Sequence, residues 1–315
     1  MIILARFSVA LLVVVAIMFG VPGLSSAATP TVNLGAAEGF AVLSGQAVTN
    51  VPNSVITGNV GLSPAAGTNY AGLTTSEVSG TIYAVDTTGP AGAAGNNPSL
   101  VNMAKNDLTT AYLDAAGRIT TFTFVAGDNQ LGGQTLTDGV YAFGHASTAN
   151  ITAASPLTLD AQGNPNAVFI FQASSDLVTA SNSIVRLVNG AQACRVFWQV
   201  TSSVTFGTRS TFVGNVLALT SITDDGYSTI TGSLLARNGQ VALNHTTINC
   251  LTCEATPTPT LTSGLSPSLT RTVMPSTGIH TGISAFGNSA SLNIAILLAG
   301  IFTVAILFGV ARRKG

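Results

Sequence analysis

Four threonines stand directly after an aliphatic residue, as Ile151-Thr152, Val178-Thr179, Val204-Thr205 and Ile222-Thr223, and three positions beyond each come Ser155, Asn182, Thr208 and Gly226. Threonine is β-branched and stiff, so on stacked strands such a column would hold methyls and hydroxyls at fixed positions. Strand spacing would repeat them about every 4.8 Å, a regular template for ordered water. Threonine also simply suits strands with one solvated side. On the residues alone that plainer reading takes precedence.

Covalent chemistry finds less support. Asp224-Asp225 could supply paired carboxylates of the kind that glycosidases use. Their repeat column holds Phe206-Gly207 one turn earlier and Leu243-Asn244 one turn later, so no second carboxylate stacks beside them. A turn-forming pair at a corner is the preferred reading. His145, His245 and His280 are scattered and assemble neither a metal centre nor a catalytic triad. No cofactor is implied. Cys194, Cys250 and Cys253 are too few for a structural zinc; one bridge pinning the last turn, with one thiol left over, fits them, and the pairing stays open.

The elements that must position the threonines repeat. From Val204 and again from Ile222, an aliphatic-Thr pair is followed six residues later by Ser, eight later by Phe or Ile and ten later by Gly; the same frame begins far upstream at Val48. Short β-branched runs with Gly at a corner make strand–bend–strand units. A unit that cannot bury its own apolar face must stack on a neighbour. The expected fold is all-β, a right-handed, three-faced β-solenoid of about six coils. First strands are read at Ile151, Val178, Val204, Ile222 and Val241, which fall 27, 26, 18 and 19 residues apart. Aromatic-rich strands such as Val140–Phe143, Val168–Gln172 and Val196–Val200 form another face.

One stretch departs from this pattern. Asn97-Pro98 is a helix start, and Leu100, Ala104, Leu108, Ala111 and Ala115 form one apolar stripe ending near Gly117. A helix over about 98–117, about 30 Å long, would lie along the solenoid's flank. Met103 and Tyr112 are expected to pack there. Residues 63–96, rich in Gly, Thr and Ala, read as an irregular cap.

Only 7% of the 315 residues are charged, against 46% hydrophobic. All 12 acidic residues, but only six of the 11 basic ones, fall between Ala28 and Glu254. No basic patch exists to neutralise phosphates, which argues against nucleic acid. Arg6, the Val9–Phe19 apolar run and Ala27-Ala28 read as a signal peptide over 1–27, placing the cysteines where disulfides form. After the 28–254 domain, a Thr/Ser/Pro-rich linker covers 255–291. An apolar stretch over 292–311 is long enough to cross a bilayer, and its Arg312-Arg313-Lys314 flank puts the 312–315 tail in the cytoplasm. The expected location is the outer face of the cell membrane, anchored by one crossing. Met274-Pro275-Ser276-Thr277-Gly278 resembles a Leu-Pro-x-Thr-Gly sorting signal, which makes cell-wall attachment the alternative.

Further stretches carry a resemblance. Phe40-Ala-Val-Leu-Ser-Gly45, Leu131-Gly-Gly-Gln-Thr-Leu-Thr-Asp-Gly-Val-Tyr141, Asn189-Gly-Ala-Gln-Ala-Cys-Arg-Val-Phe-Trp198 and Thr211-Phe-Val-Gly-Asn-Val-Leu-Ala-Leu219 are similar to the microbial ice-binding protein family. The resemblance runs over roughly residues 33–250. It implies a discontinuous solenoid whose N-terminal coil stacks beside the last one, and a non-enzymatic protein that adsorbs to ice crystals through one flat face. Some members carry Thr-Ala/Gly-x-Thr/Asn steps there. Thr179-Ala-Ser-Asn182 fits that step and Thr205-Phe-Gly-Thr208 fits its outer positions; Thr223-Asp-Asp-Gly226 and Ala242-Leu-Asn-His245 depart from it. The ice-contacting set expected from this is Thr152, Ser155, Thr179, Asn182, Thr205, Thr208 and Thr223. The alternative is a surface adhesin or structural module that binds carbohydrate or protein on the same scaffold. A solenoid glycosidase or lyase is the remote alternative.

Overall fold

The computed structural model of the chain describes residues 29–125, 129–143, 148–152 and 155–253. The leader, the Thr/Pro-rich stretch, the sorting-signal-like Met274–Gly278 and the Leu292–Val310 run lie outside them. Apolar positions alternate for only two to five residues before Gly, Asn or Ser intervenes, so each strand is short and the chain bends after it. Successive turns lie parallel on one another, and six of them carry a full set of three strands.

Three faces result. The first is a nine-stranded sheet in the order Ile82–Ala84, Asn59–Leu62, Phe40–Ser44, Leu234–Ala236, Asn215–Ala218, Val196–Val200, Phe169–Ala173, Gly139–Phe143 and Phe122–Phe124. The second has seven strands: Ala149–Ile151, Leu177–Thr179, Val204–Phe206, Ile222–Asp224, Val241–Asn244, Val48–Val51 and Tyr70–Ala71. The third joins Thr135–Leu136, Leu157–Asp160 and Val185–Val188 to Thr211–Val213, Thr229–Thr231, Thr247–Asn249 and Val55–Thr57 through a bridge between Ile184 and Thr211.

The first coil in sequence stacks against the last on all three faces, with Val42 opposite Leu234, Val48 opposite Val241 and Val55 opposite Thr247. The expected discontinuity is therefore present. The stretch read as an irregular cap contributes more than expected: Tyr70–Ala71 and Ile82–Ala84 extend two of the sheets. Runs of two and three residues are too short to show a period.

Helix α1, Pro98–Gly117, covers the first face. The Asn97 side chain accepts a hydrogen bond from the Leu100 N–H at 3.0 Å and caps the start. Val101, Ala104, Leu108, Ala111, Tyr112 and Ala115 are buried against Leu43, Val140, Ile170, Phe197, Leu217 and Leu235 of the sheet beneath. Tyr112 packs as expected. Met103 does not, being 50% exposed; at i−1 from Ala104 it falls off the stripe. Polar contacts fix the helix in place. The Lys105 ammonium donates to the carbonyls of Ala236 and Arg237 at 2.7 and 2.6 Å, and the Gln172 amide donates to the Ala115 carbonyl at 2.8 Å.

Inside, inward residues of the three faces meet in one apolar core. Tyr141, Phe171 and Trp198 stack along it with ring centroids 5.5 and 3.9 Å apart, and the indole N–H of Trp198 donates to the Val213 carbonyl at 2.9 Å. The Gly of the repeat frame turns the third face into the first. Gly58, Gly214 and Gly232 hold φ of 124°, 117° and 144°, and a Cβ on Gly232 would collide with the Gly214 carbonyl, so no other residue fits that corner.

Candidate functional site

The strand register decides which side chains leave the second face. Leu177 pairs with Val204 and Ile222 with Val241, so the outward column between them runs Asn150, Val178, Thr205, Thr223, Ala242, Thr49 and Ala71. Thr205 and Thr223 stand in it, half-buried as strand residues on a solvated sheet are. Thr179 does not. It pairs with Phe206, points inward and is 2% exposed. The expected alignment of Val178 with Val204 is one residue out, and one residue flips a side chain to the opposite face. Thr152 lies one position beyond Ile151, which pairs with Thr179, and so falls outside the column as well.

The positions three residues on shift in the same way. Thr208 is half-buried, and its hydroxyl lies 3.1 Å from that of Ser181, not beside Asn182. Asn182 is exposed with φ 62°. Ser155 is exposed, at the end of its loop. Of the seven expected residues, the register places Thr205 and Thr223 together in one outward column, with Thr208 at its margin.

The inward column explains the slip. Asn53, Asn182, Arg209, Tyr227 and His245 take φ between 52° and 82° at the corner from second to third face, and each is followed by a buried hydroxyl residue: Ser54, Ser183, Ser210, Ser228 or Thr246. Left-handed backbone costs about 1 kcal/mol at a non-Gly residue, and hydrogen bonds inside the corner offset it. Thr179 joins this ladder, 2.9 Å from the Ser210 hydroxyl and accepting the Gly207 N–H at 3.1 Å. Asp224, in the same inward column as Thr179, is 4% exposed and accepts from the Ser228 and Thr246 hydroxyls at 2.6 Å each and from the Gly226 N–H at 3.1 Å. It is thus a buried acceptor and not half of an exposed carboxylate pair; Asp225 alone faces solvent. Outside the corner Tyr227 stacks on His245 at 4.6 Å, with the Arg209 guanidinium 5.7 Å from the Tyr227 ring centre.

The third face holds an array that the sequence reading passed over. Thr211, Thr229, Thr247 and Val55 pair in one outward column, and Thr231, Asn249 and Thr57 continue the next from Val213, which is itself buried. They flank Phe212, Ile230, Ile248 and Ile56, which point inward. The signal lies in the repeat frame itself, one residue either side of its Phe/Ile position.

Two carboxylates elsewhere are held in the charged form. At one margin of the second face, the hydroxyl of Ser202 and the N–H of Ser203 (3.0 Å) lower the Asp176 carboxyl below its usual range. Partial burial of Glu77 is outweighed by the N–H and hydroxyl of Thr74, the Asn50 amide and the Asn53 N–H, and its carboxyl is lowered too. Cys194 and Cys253 form the disulfide. Cys250 is free, and burial raises its thiol above the usual range. Among the described residues no three His, Cys, Asp or Glu side chains come together as metal ligands. What both uncovered faces offer is extended, flat, polar-apolar surface.

Comparison with known proteins agrees with that surface. A family model described as Ice-binding-like matches residues 42–249. An ice-binding protein of Nostoc sp. (strain HG1) is 43% identical over 212 residues, 67% of this chain and 71% of its own. One of Flavobacterium frigoris (strain PS1) is 39% identical over 206 residues, 65% of this chain and 72% of its own. The crystal structure of an ice binding protein from an Antarctic biological consortium superposes with a TM-score of 0.62 at 37% identity, covering 72% of this chain and 95% of that one.

Proposed function

The chain belongs to the Ice-binding-like family, and from that premise we propose that it is a non-enzymatic protein that adsorbs to ice through the second face of its solenoid. Adsorption would slow recrystallisation or hold the cell to ice. One observation carries the choice of face: the column Val178, Thr205, Thr223, Ala242, Thr49 and Ala71 is small and uncharged over six consecutive strands. Among the described residues the hydroxyls of Thr49, Thr205 and Thr223 bond no other protein group, which leaves them to water. Their methyls exclude liquid water while the stiff χ1 of each keeps the hydroxyl in place, so first-shell water is held in an ordered layer that ice can incorporate. Asp176 and Asp225 stand at the margins of this column and not in it.

The solenoid corresponds to nearly the whole of a solved relative, and the isolated domain over 29–253 is the right object for the test. Purified, it should shape a growing ice crystal and halt its growth within a temperature gap. A folded domain that leaves crystal growth untouched would discard ice binding in favour of the adhesin, with a carbohydrate array as the next measurement.

We also propose that the leader exports the domain, that the Thr/Pro-rich stretch spaces it from the surface, and that the Leu292–Val310 run anchors it with the basic tail inside. Among the described residues no helix is long and apolar enough to cross a membrane; this apolar run lies outside them. Mass spectrometry of the mature C-terminus separates the two anchors: Gly315 retained supports the membrane, and a chain ending at Thr277 on peptidoglycan supports the wall.

A further inference from the structure

We infer that the third face is a second ice-contacting surface, independent of the first; the inference rests on ice binding as the function. Over four successive coils Thr211, Thr229, Thr247 and Val55 stand in one column with Thr231 and Thr57 in the next, in unbroken parallel register. Parallel strands put neighbours in a column about 4.8 Å apart and the two columns about 6.6 Å apart, so the hydroxyls form a two-dimensional lattice. On the second face Thr205 and Thr223 are neighbours, but Val178, Ala242 and Ala71 interrupt the rest of the outward column.

Three features separate this array from an ordinary solvated sheet. Val213 is buried, and of the seven side chains that remain at the surface six are Thr or Val, each with a restricted χ1. No charged residue stands within it, and Arg186 marks where it ends. Among the described residues none of the Thr57, Thr211, Thr229, Thr231 or Thr247 hydroxyls bonds another protein group, whereas the Thr and Ser hydroxyls of the inner corner are saturated. Thr211, Thr229 and Thr57 are exposed, so a flat solid can reach them. The Arg209–Tyr227–His245 row projects from the corner between the two faces, which keeps one crystal plane from seating on both at once. Two faces with different hydroxyl patterns would then select different ice planes.

The test labels the solenoid domain with a fluorescent protein at its C-terminus and lets it adsorb to a hemisphere of single-crystal ice. Unaltered protein should light two sets of planes. Thr229→Tyr should remove one set and keep the other; Thr223→Tyr should do the reverse; the double variant should label nothing. Thr211→Lys, on the same column, should repeat the Thr229→Tyr pattern, and an unchanged melting temperature shows that each variant folds. Thr229→Tyr and Thr211→Lys labelling as unaltered protein does, or Thr223→Tyr alone removing all labelling, overturns the second surface and leaves the first standing. Thr229→Tyr alone removing all labelling overturns the second-face assignment above. Unaltered protein that labels no ice overturns the functional reading and this inference together.

Discussion

The hydroxyls of Thr179 and Ser210 lie 2.9 Å apart inside the solenoid, 31 residues apart in the chain. Thr205, which resembles Thr179 in its sequence surroundings, stands on the outside. The same side chain serves the fold in one coil and the surface in the next, and the two roles separate under mutation. Thr179→Val would remove the hydroxyl beside Ser210, but Ser210 would still donate to the Gly207 and Ala180 carbonyls and the Gly207 N–H to the Thr179 carbonyl. The cost should therefore be that of one buried hydrogen bond, about 1 kcal/mol. Denaturant unfolding should show that loss while ice shaping by the folded protein stays as it was. Loss of shaping without loss of stability would place Thr179 on the outside after all.

Thr205→Tyr and Thr208→Lys should behave in the opposite way. Each projects a bulky group from the second face, and stability should move by no more than about 0.5 kcal/mol, as for most exposed substitutions. Crystal shaping on the planes served by this face should disappear. Asn106→Lys, on the exposed side of α1, is the control that should change nothing. Asp176 would be a poor control despite its polar setting, because its carboxylate holds the Ser203 N–H.

Helix α1 gives a pH prediction. Burial, and then the Arg237 charge, lower the Lys105 ammonium to about 7, while in the unfolded chain a lysine titrates near 10.4. Between those values the unfolded chain holds the extra proton, so stability rises with pH across that interval. The neutral amine still donates to the Ala236 and Arg237 carbonyls. Melting temperature measured from pH 6 to 10 should climb in the unaltered domain and lie flatter in Lys105→Met. Equal slopes in the two proteins would remove Lys105 as the cause.

The disulfide closes a loop with a sequence separation of 59. Loop-closure entropy for that length corresponds to about 4 kcal/mol, with measured bridges commonly giving about 2–4. Cys253→Ser should lower the unfolding free energy by an amount in that range, and Cys250→Ser should not. Thiol titration should find one reactive group in the unfolded, unreduced chain, and that group should map to Cys250.

Much of the fold was legible because its signals are local. Asn97-Pro98 and a four-residue apolar rhythm place α1 at Pro98–Gly117, and the Val48, Val204 and Ile222 frame marks coils whose corners have one length. The frame fails at Leu177-Val178-Thr179, where either aliphatic residue can start the strand. The longer loops of those coils absorb the difference, so only the hydrogen-bonding needs of the inner corner choose between them. Asp224 does serve its corner turn, accepting the Gly226 N–H, but its burial was not legible: its partners Ser228 and Thr246 lie on its own coil and on the next, and nothing near it in sequence announces them. Cys194 meets Cys253 only once the stack is built, so its pairing was not legible. The third-face array was missed because Thr on either side of an apolar residue is what any half-solvated strand looks like until register shows that the pairs align.

The place of the first coil bears on how the molecule is made. Its strands at Phe40–Ser44, Val48–Val51 and Val55–Thr57 meet partners on one side among residues 59–84, but on the other side only at Leu234–Asn249. A chain delivered from its N-terminus therefore carries an unpaired strand edge until almost the whole domain has emerged, and contacts of such separation form late. Folding ends at a seam between the two ends of the sequence. A chain stalled or cut before Leu234 would keep that edge open to the matching edge of another copy.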